Sequence, residues 1–105
     1  MHLENKRIVL TGAASGIGRA LLERLAAIPG QILAVDLDAE GLAQALSTVT
    51  SGPARVLSYS CDVGLPESLE ALFDHALSVL GGIDLFFANA GFPYFEKLEN
   101  LSLIH

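Results

Sequence analysis

A glycine-rich turn between a strand pattern and a helix pattern constrains the fold of this chain most. The apolar residues 8–10 lead into the sequence TGAASGIG at positions 11–18, and the helix-patterned segment 19–27 follows. Glycine has no side chain and accepts positive φ, so the backbone of such a turn can approach a ligand closely. The start of the new helix adds N–H groups without intrahelical partners and the positive end of the helix dipole. The pattern predicts a phosphate-binding turn, with an ordinary strand-to-helix turn as the alternative.

The backbone of this glycine-rich turn, residues 11–18, would supply the ligand contacts. Its glycines would allow the tight turn, the approach of a pyrophosphate and the packing of the helix on the sheet. The formal net charge of the chain is −6, so we expect backbone N–H groups rather than basic side chains to hold a phosphate. The candidate binding residues of the turn are Gly12, Ser15, Gly16, Ile17 and Gly18.

An acidic residue follows at the spacing expected for recognition of a ribose. Asp36 lies eighteen positions after the last glycine of the turn and ends a second apolar run, residues 32–35. In a dinucleotide-binding βαβ unit, a carboxylate near this position accepts hydrogen bonds from the adenosine ribose. It also repels a 2′-phosphate, and neither Leu37 nor Ser15 adds a positive charge, so the sequence predicts NAD rather than NADP as the cofactor. The alternative is that Asp36 or Asp38 only caps the next helix, and Asp38 is the better cap candidate.

The order of the glycines and two later segments resemble one known family. The turn reads G-x-x-x-G-x-G after Thr11, which is similar to the T-G-x-x-x-G-x-G turn of short-chain dehydrogenases/reductases. The segments CDV at 61–63 and NAG at 89–91 follow the third and fourth strand-like runs, in the order of that family. The resemblance covers almost the whole chain. It implies a dinucleotide cofactor as partner, an oxidoreductase acting on an alcohol and carbonyl pair, and a role for Thr11 in stabilising neighbouring strand ends.

The resemblance also assigns residues to the adenosine half of the cofactor. The carboxylate of Asp62 would bind the exocyclic amine of adenine and the N–H of Val63 a ring nitrogen, although an exposed turn aspartate is the alternative for Asp62. Asn89, Ala90 and Gly91 would leave room for the adenosine ribose, and Asn89 would tie adjacent strand ends together. The residue before this segment is alanine, where the family often has a second asparagine.

The same resemblance predicts no catalytic residue in this chain. In the family, a tyrosine acts as general acid and base, a lysine four positions later lowers its pKa, and an upstream serine steadies the substrate. Here Tyr59 and Tyr94 are followed at that distance by Val63 and Leu98, so both tyrosines are predicted to be packing residues. The family carries the motif on a helix after a fifth strand, beyond the elements of this chain. The substrate is therefore not readable from the sequence.

Two functions remain open at this point. The chain is either the N-terminal NAD-binding portion of such a dehydrogenase, without turnover of its own, or a stand-alone NAD-binding or protein-interaction module without catalysis. A methyltransferase or P-loop enzyme is a weaker reading, because the sequence has no Gly-Lys-Ser/Thr turn.

Four strand-like runs alternate with three helix-like ones. Such alternation predicts right-handed crossovers and a Rossmann-like α/β fold, a parallel sheet in the order 3-2-1-4 with helices on both faces. We expect residues 1–105 to form one partial, truncated dinucleotide-binding domain. The predicted strands are 7–11, 31–36, 55–61 and 83–89, and the predicted helices run from 16 to before 29, from 39 to 49, and from 66 to the glycines at 81–82.

Composition and charge exclude several classes of partner. The hydrophobic fraction is 51%, which strands buried on both faces explain, and no apolar stretch approaches the roughly 20 residues of a membrane span. The negative net charge argues against nucleic acid. The N-terminus lacks the apolar core of a signal peptide, so a cytoplasmic location is expected.

Neither a disulfide nor a metal site is expected. Cys61 is the single cysteine and is predicted to be buried and inert, and the three histidines are scattered along the sequence. Asp84 is predicted to be a turn residue. The fourth strand would lie at a sheet edge, where unpaired N–H and C=O groups can pair with a second copy, so the sequence predicts a homo-oligomer through that edge.

Overall fold

The computed structural model describes residues 2–89 of the chain. Strands and helices alternate along the whole of this part. The elements are β1 (Lys6–Thr11), α1 (Gly16–Ala26), β2 (Gly30–Asp36), α2 (Ala39–Ser47), β3 (Arg55–Ser60), α3 (Pro66–Leu80) and β4 (Leu85–Ala88).

All four strands form one parallel sheet in the order β3-β2-β1-β4, which confirms the predicted topology. β1 lies at the centre, where Thr11 is level with Val35 of β2 on one side and with Ala88 of β4 on the other. The order of the strands therefore reverses across β1. In sheets of this kind, such a reversal opens a crevice at the carboxyl ends of the strands.

Each face of the sheet carries its own apolar core. Alternate residues of a strand point to opposite faces, so β1 sends Ile8 and Leu10 toward α1 and α2 and sends Val9 toward α3. β2 divides in the same way, with Ile32 on the first face and Leu33 on the second. These side chains are almost fully buried, and burial of one such side chain contributes about 1.5–3 kcal/mol. Helices thus cover both faces, as predicted.

The ends of the helices have identifiable causes. Pro66 begins α3, and Gly81 ends it in the left-handed conformation with φ of 80°, as the sequence predicts. α2 ends at Ser47, two residues before its predicted end. There the N–H groups of Thr48 and Val49 donate to carbonyls three residues back, so the last turn tightens and the α-helical ladder stops.

At the amino end of the sheet, an ion pair joins β1 to the turn before β4. The guanidinium of Arg7 donates to both carboxylate oxygens of Asp84, with Nε at 2.9 Å and Nη2 at 3.1 Å. The backbone N–H of Arg7 donates to the same carboxylate, and the N–H of Asp84 donates to the carbonyl of Arg7. These bonds keep Asp84 in the turn as predicted, and β4 begins only at Leu85 rather than at residue 83.

Candidate functional site

The carboxyl edge of the sheet gathers the segments that the sequence singles out. β1 runs into the glycine-rich turn, β2 ends at Asp36, β3 precedes residues 61–63, and β4 precedes Asn89. Cross-strand bonds tie these ends together, since the N–H of Cys61 donates to the carbonyl of Asp36 at 3.2 Å. Open α/β sheets bind their ligands at this edge, beside the strand where the order reverses.

The glycine-rich turn requires glycine for two reasons, a positive φ at two positions and a close contact at a third. Gly12 has φ of 69° and Gly16 has φ of 60°, a region that residues with a Cβ rarely adopt. Gly18 is buried in the first turn of α1, and a Cβ there would lie 1.8 Å from the carbonyl oxygen of Gly12. The start of α1 can therefore lie against the end of β1 only with glycine at this position.

The start of α1, apart from the buried Gly18, faces solvent and offers backbone donors. Ser15 is the N-cap residue, but its side chain makes no capping hydrogen bond, and the first turn contains no acidic residue. Ser15 and Gly16 are exposed, and the side chain of Ile17 is 78% exposed. The first N–H groups of a helix have no intrahelical acceptor and carry the positive end of its dipole, so this turn is chemically suited to an anion.

Asp36 lies beside this turn, and its carboxylate accepts hydrogen bonds from two backbone N–H groups. Its Oδ2 accepts a hydrogen bond from the N–H of Ala14 at 3.0 Å, and its Oδ1 accepts one from the N–H of Asp38, also at 3.0 Å. Asp38 caps α2, because its carboxylate accepts from the N–H of Gly41 at 2.9 Å. Capping therefore belongs to Asp38, and Asp36 is half-buried at the end of β2 between two loops.

Thr11 and Asn89 connect the ends of β1 and β4, as the sequence predicts. The hydroxyl of Thr11 accepts from the N–H of Asn89 at 3.1 Å and donates to the carbonyl of Phe87 at 3.4 Å. The side-chain amide of Asn89 donates to the carbonyl of Gly12 at 3.4 Å. Asn89 therefore positions the beginning of the glycine-rich turn.

The segment after β3 forms a short exposed turn next to the site. The carboxylate of Asp62 accepts from the N–H of Gly64 at 2.9 Å, and Val63 packs toward the core on the α3 side. Cys61 is half-buried rather than buried, and burial followed by the charge of Asp62 raises the pKa of its thiol. A raised pKa leaves little reactive thiolate near neutral pH, in keeping with an inert cysteine.

The other candidates are placed as follows. Tyr59 stacks on the ring of His75 of α3, with ring centroids 4.3 Å apart, and packs as predicted. Ala90, Gly91 and Tyr94 lie outside the described residues. Among residues 2–89, no group of three or more His, Cys, Asp or Glu residues could hold a metal ion, and none of the helices is long and apolar enough to cross a membrane.

One hydrogen bond of the site could not be predicted from the sequence. The N–H of Ala14 belongs to a small apolar residue inside the turn and carries no sequence signal. Its bond to Asp36 depends on the parallel register of β1 and β2, which places Thr11 level with Val35.

Comparison with known proteins identifies the family. The family model described as short chain dehydrogenase matches residues 6–104. The chain belongs to this family. It is 40% identical over 91 residues to the 1-deoxy-11-beta-hydroxypentalenate dehydrogenase of Streptomyces exfoliatus, a match that covers 87% of this chain and 33% of that enzyme. The chain thus spans about a third of the length of the curated relatives it matches.

Solved structures of short-chain dehydrogenases share the fold. One from Burkholderia phymatum, in complex with NAD, superposes with a TM-score of 0.80 at 35% identity and covers 87% of this chain and 32% of that one. The L-sorbose reductase of Gluconobacter frateurii, complexed with NADPH and L-sorbose, superposes with a TM-score of 0.78 at 33% identity and covers 85% of this chain and 34% of that one. Both are similar to this chain in its Rossmann-like part.

Proposed function

We propose that this chain binds a nicotinamide dinucleotide at the carboxyl edge of its sheet, as the N-terminal cofactor-binding portion of an oxidoreductase acting on an alcohol and carbonyl pair. One observation carries the proposal: the exposed first turn of α1, free of acidic residues, begins beside a carboxylate at the end of β2. A pyrophosphate fits the former and a ribose the latter.

The glycine-rich turn would hold the pyrophosphate through its backbone. The N–H groups of Ser15, Gly16 and Ile17 are on exposed residues at the positive end of the helix dipole. Gly12 and Gly18 would contribute indirectly, because their close contact lets the start of α1 lie against the end of β1. The family membership supports the same assignment.

The adenosine half would extend from Asp36 across the ends of β2 and β3. Asp36 would accept from the ribose hydroxyls, while Asp62 and Val63 would face the adenine. Asn89, with Ala90 and Gly91, would leave room for the adenosine ribose. A bound nicotinamide would supply the hydride acceptor or donor, and these residues would hold the adenosine half of the cofactor without proton transfer of their own.

We propose NAD rather than NADP as the cofactor. A 2′-phosphate would meet the carboxylate of Asp36, and the next residue, Leu37, is apolar and 67% exposed. Repulsion between two charges a few ångströms apart near a protein surface contributes on the order of 1 kcal/mol or more. Relatives do not decide the matter, since the similar structures hold either NAD or NADPH.

Titration of the 105-residue chain with NADH and with NADPH, followed by nicotinamide fluorescence, tests both proposals. We expect binding of NADH at least fivefold tighter than binding of NADPH, which is the ratio that 1 kcal/mol implies. Asp36→Asn should narrow this gap, and Asp74→Asn, which removes an equal charge at an exposed residue of α3, is the control. Equal or tighter binding of NADPH would overturn the cofactor preference, and binding of neither dinucleotide would overturn the site.

A second proposal concerns a partner. Within residues 2–89, β4 pairs with β1 on one side and with no strand on the other. A second copy of the chain could pair along that edge about a two-fold axis, which would make a closed contact. A stand-alone interaction module would use the same edge.

A further inference from the structure

We infer that Asp36 is a positioning residue for the phosphate-binding turn as well as a ribose ligand. The expected effect on cofactor binding rests on the proposed function. The positioning of the turn by Asp36 does not depend on a cofactor. Its basis is the Asp36 bridge, the two hydrogen bonds that the carboxylate of Asp36 accepts from the N–H groups of Ala14 and Asp38.

Beyond the last backbone hydrogen bond between β1 and β2, the side chain of Asp36 accepts the next N–H group of the turn. The N–H of Ala13 donates to the carbonyl of Val35 at 3.1 Å, which extends the β1–β2 pairing by one step. The N–H of Ala14 donates to the side chain of Asp36 instead of to a backbone carbonyl. Ala14 is 6% exposed, so without the carboxylate its N–H would be buried and unsatisfied.

The other half of the bridge joins the turn to α2. Oδ1 of Asp36 accepts from the N–H of Asp38, whose own carboxylate caps α2 at Gly41. The first turn of α2 also lies close to the glycine-rich turn, because a Cβ at Gly41 would lie 3.0 Å from the Cβ of Ala14. The start of α2 and the glycine-rich turn before α1 are therefore held in one arrangement through a single carboxylate.

This arrangement has a consequence for ligand binding. A phosphate site whose backbone is already in place loses less conformational freedom when the ligand binds. Removal of the Asp36 side chain would then have two opposite effects on the affinity of the turn for an anion. Loss of the negative charge would favour binding, whereas loss of the acceptor for Ala14 would release the turn and weaken it.

Two variants of equal charge separate these effects. Asp36→Asn and Asp36→Ala both remove one negative charge, but the asparagine side chain keeps one oxygen that can accept from Ala14. Asp38→Ala is a further control, since it removes the α2 cap and leaves the carboxylate of Asp36 in place. Amide hydrogen exchange at Ala14 in the ligand-free chain is compared with exchange in the β1–β2 ladder, which reports any general loss of stability.

We expect exchange at Ala14, relative to that ladder, to accelerate on the order of tenfold in Asp36→Ala, by less in Asp36→Asn, and not at all in Asp38→Ala. Inorganic pyrophosphate contains no ribose, so it reports the turn alone. Amide chemical-shift changes at Gly16 and Ile17 should show pyrophosphate binding several-fold more weakly to Asp36→Ala than to Asp36→Asn.

Equal exchange at Ala14 in the two Asp36 variants, or equal pyrophosphate affinity, would overturn the inference. Altered exchange without NADH binding to the unmodified chain would leave the bridge standing and remove the proposed cofactor function.

Discussion

A Cβ atom at Gly18 would lie 1.8 Å from the carbonyl oxygen of Gly12 and 2.6 Å from the side-chain amide nitrogen of Asn89. Separations under 3 Å leave no room for a methyl group, and the nearest atom belongs to backbone that cannot rotate away. The helix α1 must therefore move for any other residue to fit. This contact explains in physical terms why the turn ends in glycine.

Gly18→Ala should destabilise the fold more than Gly16→Ala does. We expect a loss of about 2–3 kcal/mol in the free energy of unfolding at Gly18 from overpacking. At Gly16 there is open space, and only the positive φ of 60° opposes alanine, so about 1–2 kcal/mol is expected. Urea denaturation of the two variants measures the difference, and equal losses would show that α1 shifts freely.

The Thr11 hydroxyl should stabilise the junction of β1 and β4. Thr11→Val keeps the shape but leaves the N–H of Asn89 and the carbonyl of Phe87 without this partner, so we expect a loss of about 1–3 kcal/mol. Thr11→Ser keeps the hydroxyl and is the matched control. If the valine variant were as stable as the serine variant in thermal and urea unfolding, the hydrogen bonds would contribute nothing net.

The ion pair of Arg7 and Asp84 should make stability depend on pH in the acid range. Hydrogen bonds from the Arg7 side chain and backbone lower the pKa of Asp84 from 3.8 to about 2. A carboxylate whose pKa is lower in the folded state contributes stability that is fully present above its unfolded value and is lost as pH falls through the folded value. The contribution should therefore fade between about pH 4 and pH 2.

Unfolding free energies measured from pH 5 to pH 2 check this dependence. Asp84→Asn should be less stable than the unmodified chain at pH 5, and the two curves should converge toward pH 2. Asp74→Asn, a change at an exposed carboxylate of α3, is the control for removal of one carboxylate charge. Curves for Asp84→Asn and the unmodified chain that stay a constant distance apart would contradict the assignment.

The sequence predicts the strands, the helices and the place of the site because these depend on local patterns, and the alternation of strands and helices predicts the sheet order. Apolar runs bounded by turn residues mark β1 and β2, and the glycine spacing marks the start of α1. Contacts that depend on register are not visible in this way. Asp84 reads as a turn residue, and only the parallel pairing of β1 with β4 places it against Arg7.

The 105-residue chain should transfer no hydride between a nicotinamide dinucleotide and any alcohol or carbonyl substrate. Positioned proton transfer supplies about 10²–10⁴-fold in rate. Tyr59 is engaged in the stack with His75 and is followed four positions later by Val63, so it does not match the tyrosine and lysine of the family. Absorbance at 340 nm with a panel of alcohols and NAD checks this, and turnover proportional to the concentration of pure chain would contradict it.

Self-association through the outer edge of β4 should depend on Ala88. The carbonyl of Phe87 and the N–H of Asn89 both face Thr11 of β1, so the residue between them directs its N–H away from β1. Proline is tolerated in a strand where its missing N–H faces outward. Ala88→Pro should therefore keep the fold and lower the association constant, whereas Phe87→Pro should disrupt pairing with β1 and destabilise the chain.

Sedimentation at several concentrations measures the association of each variant, and circular dichroism is the control for folding. A monomeric unmodified chain, or an Ala88→Pro variant that still associates as strongly, would show that copies do not meet at this edge.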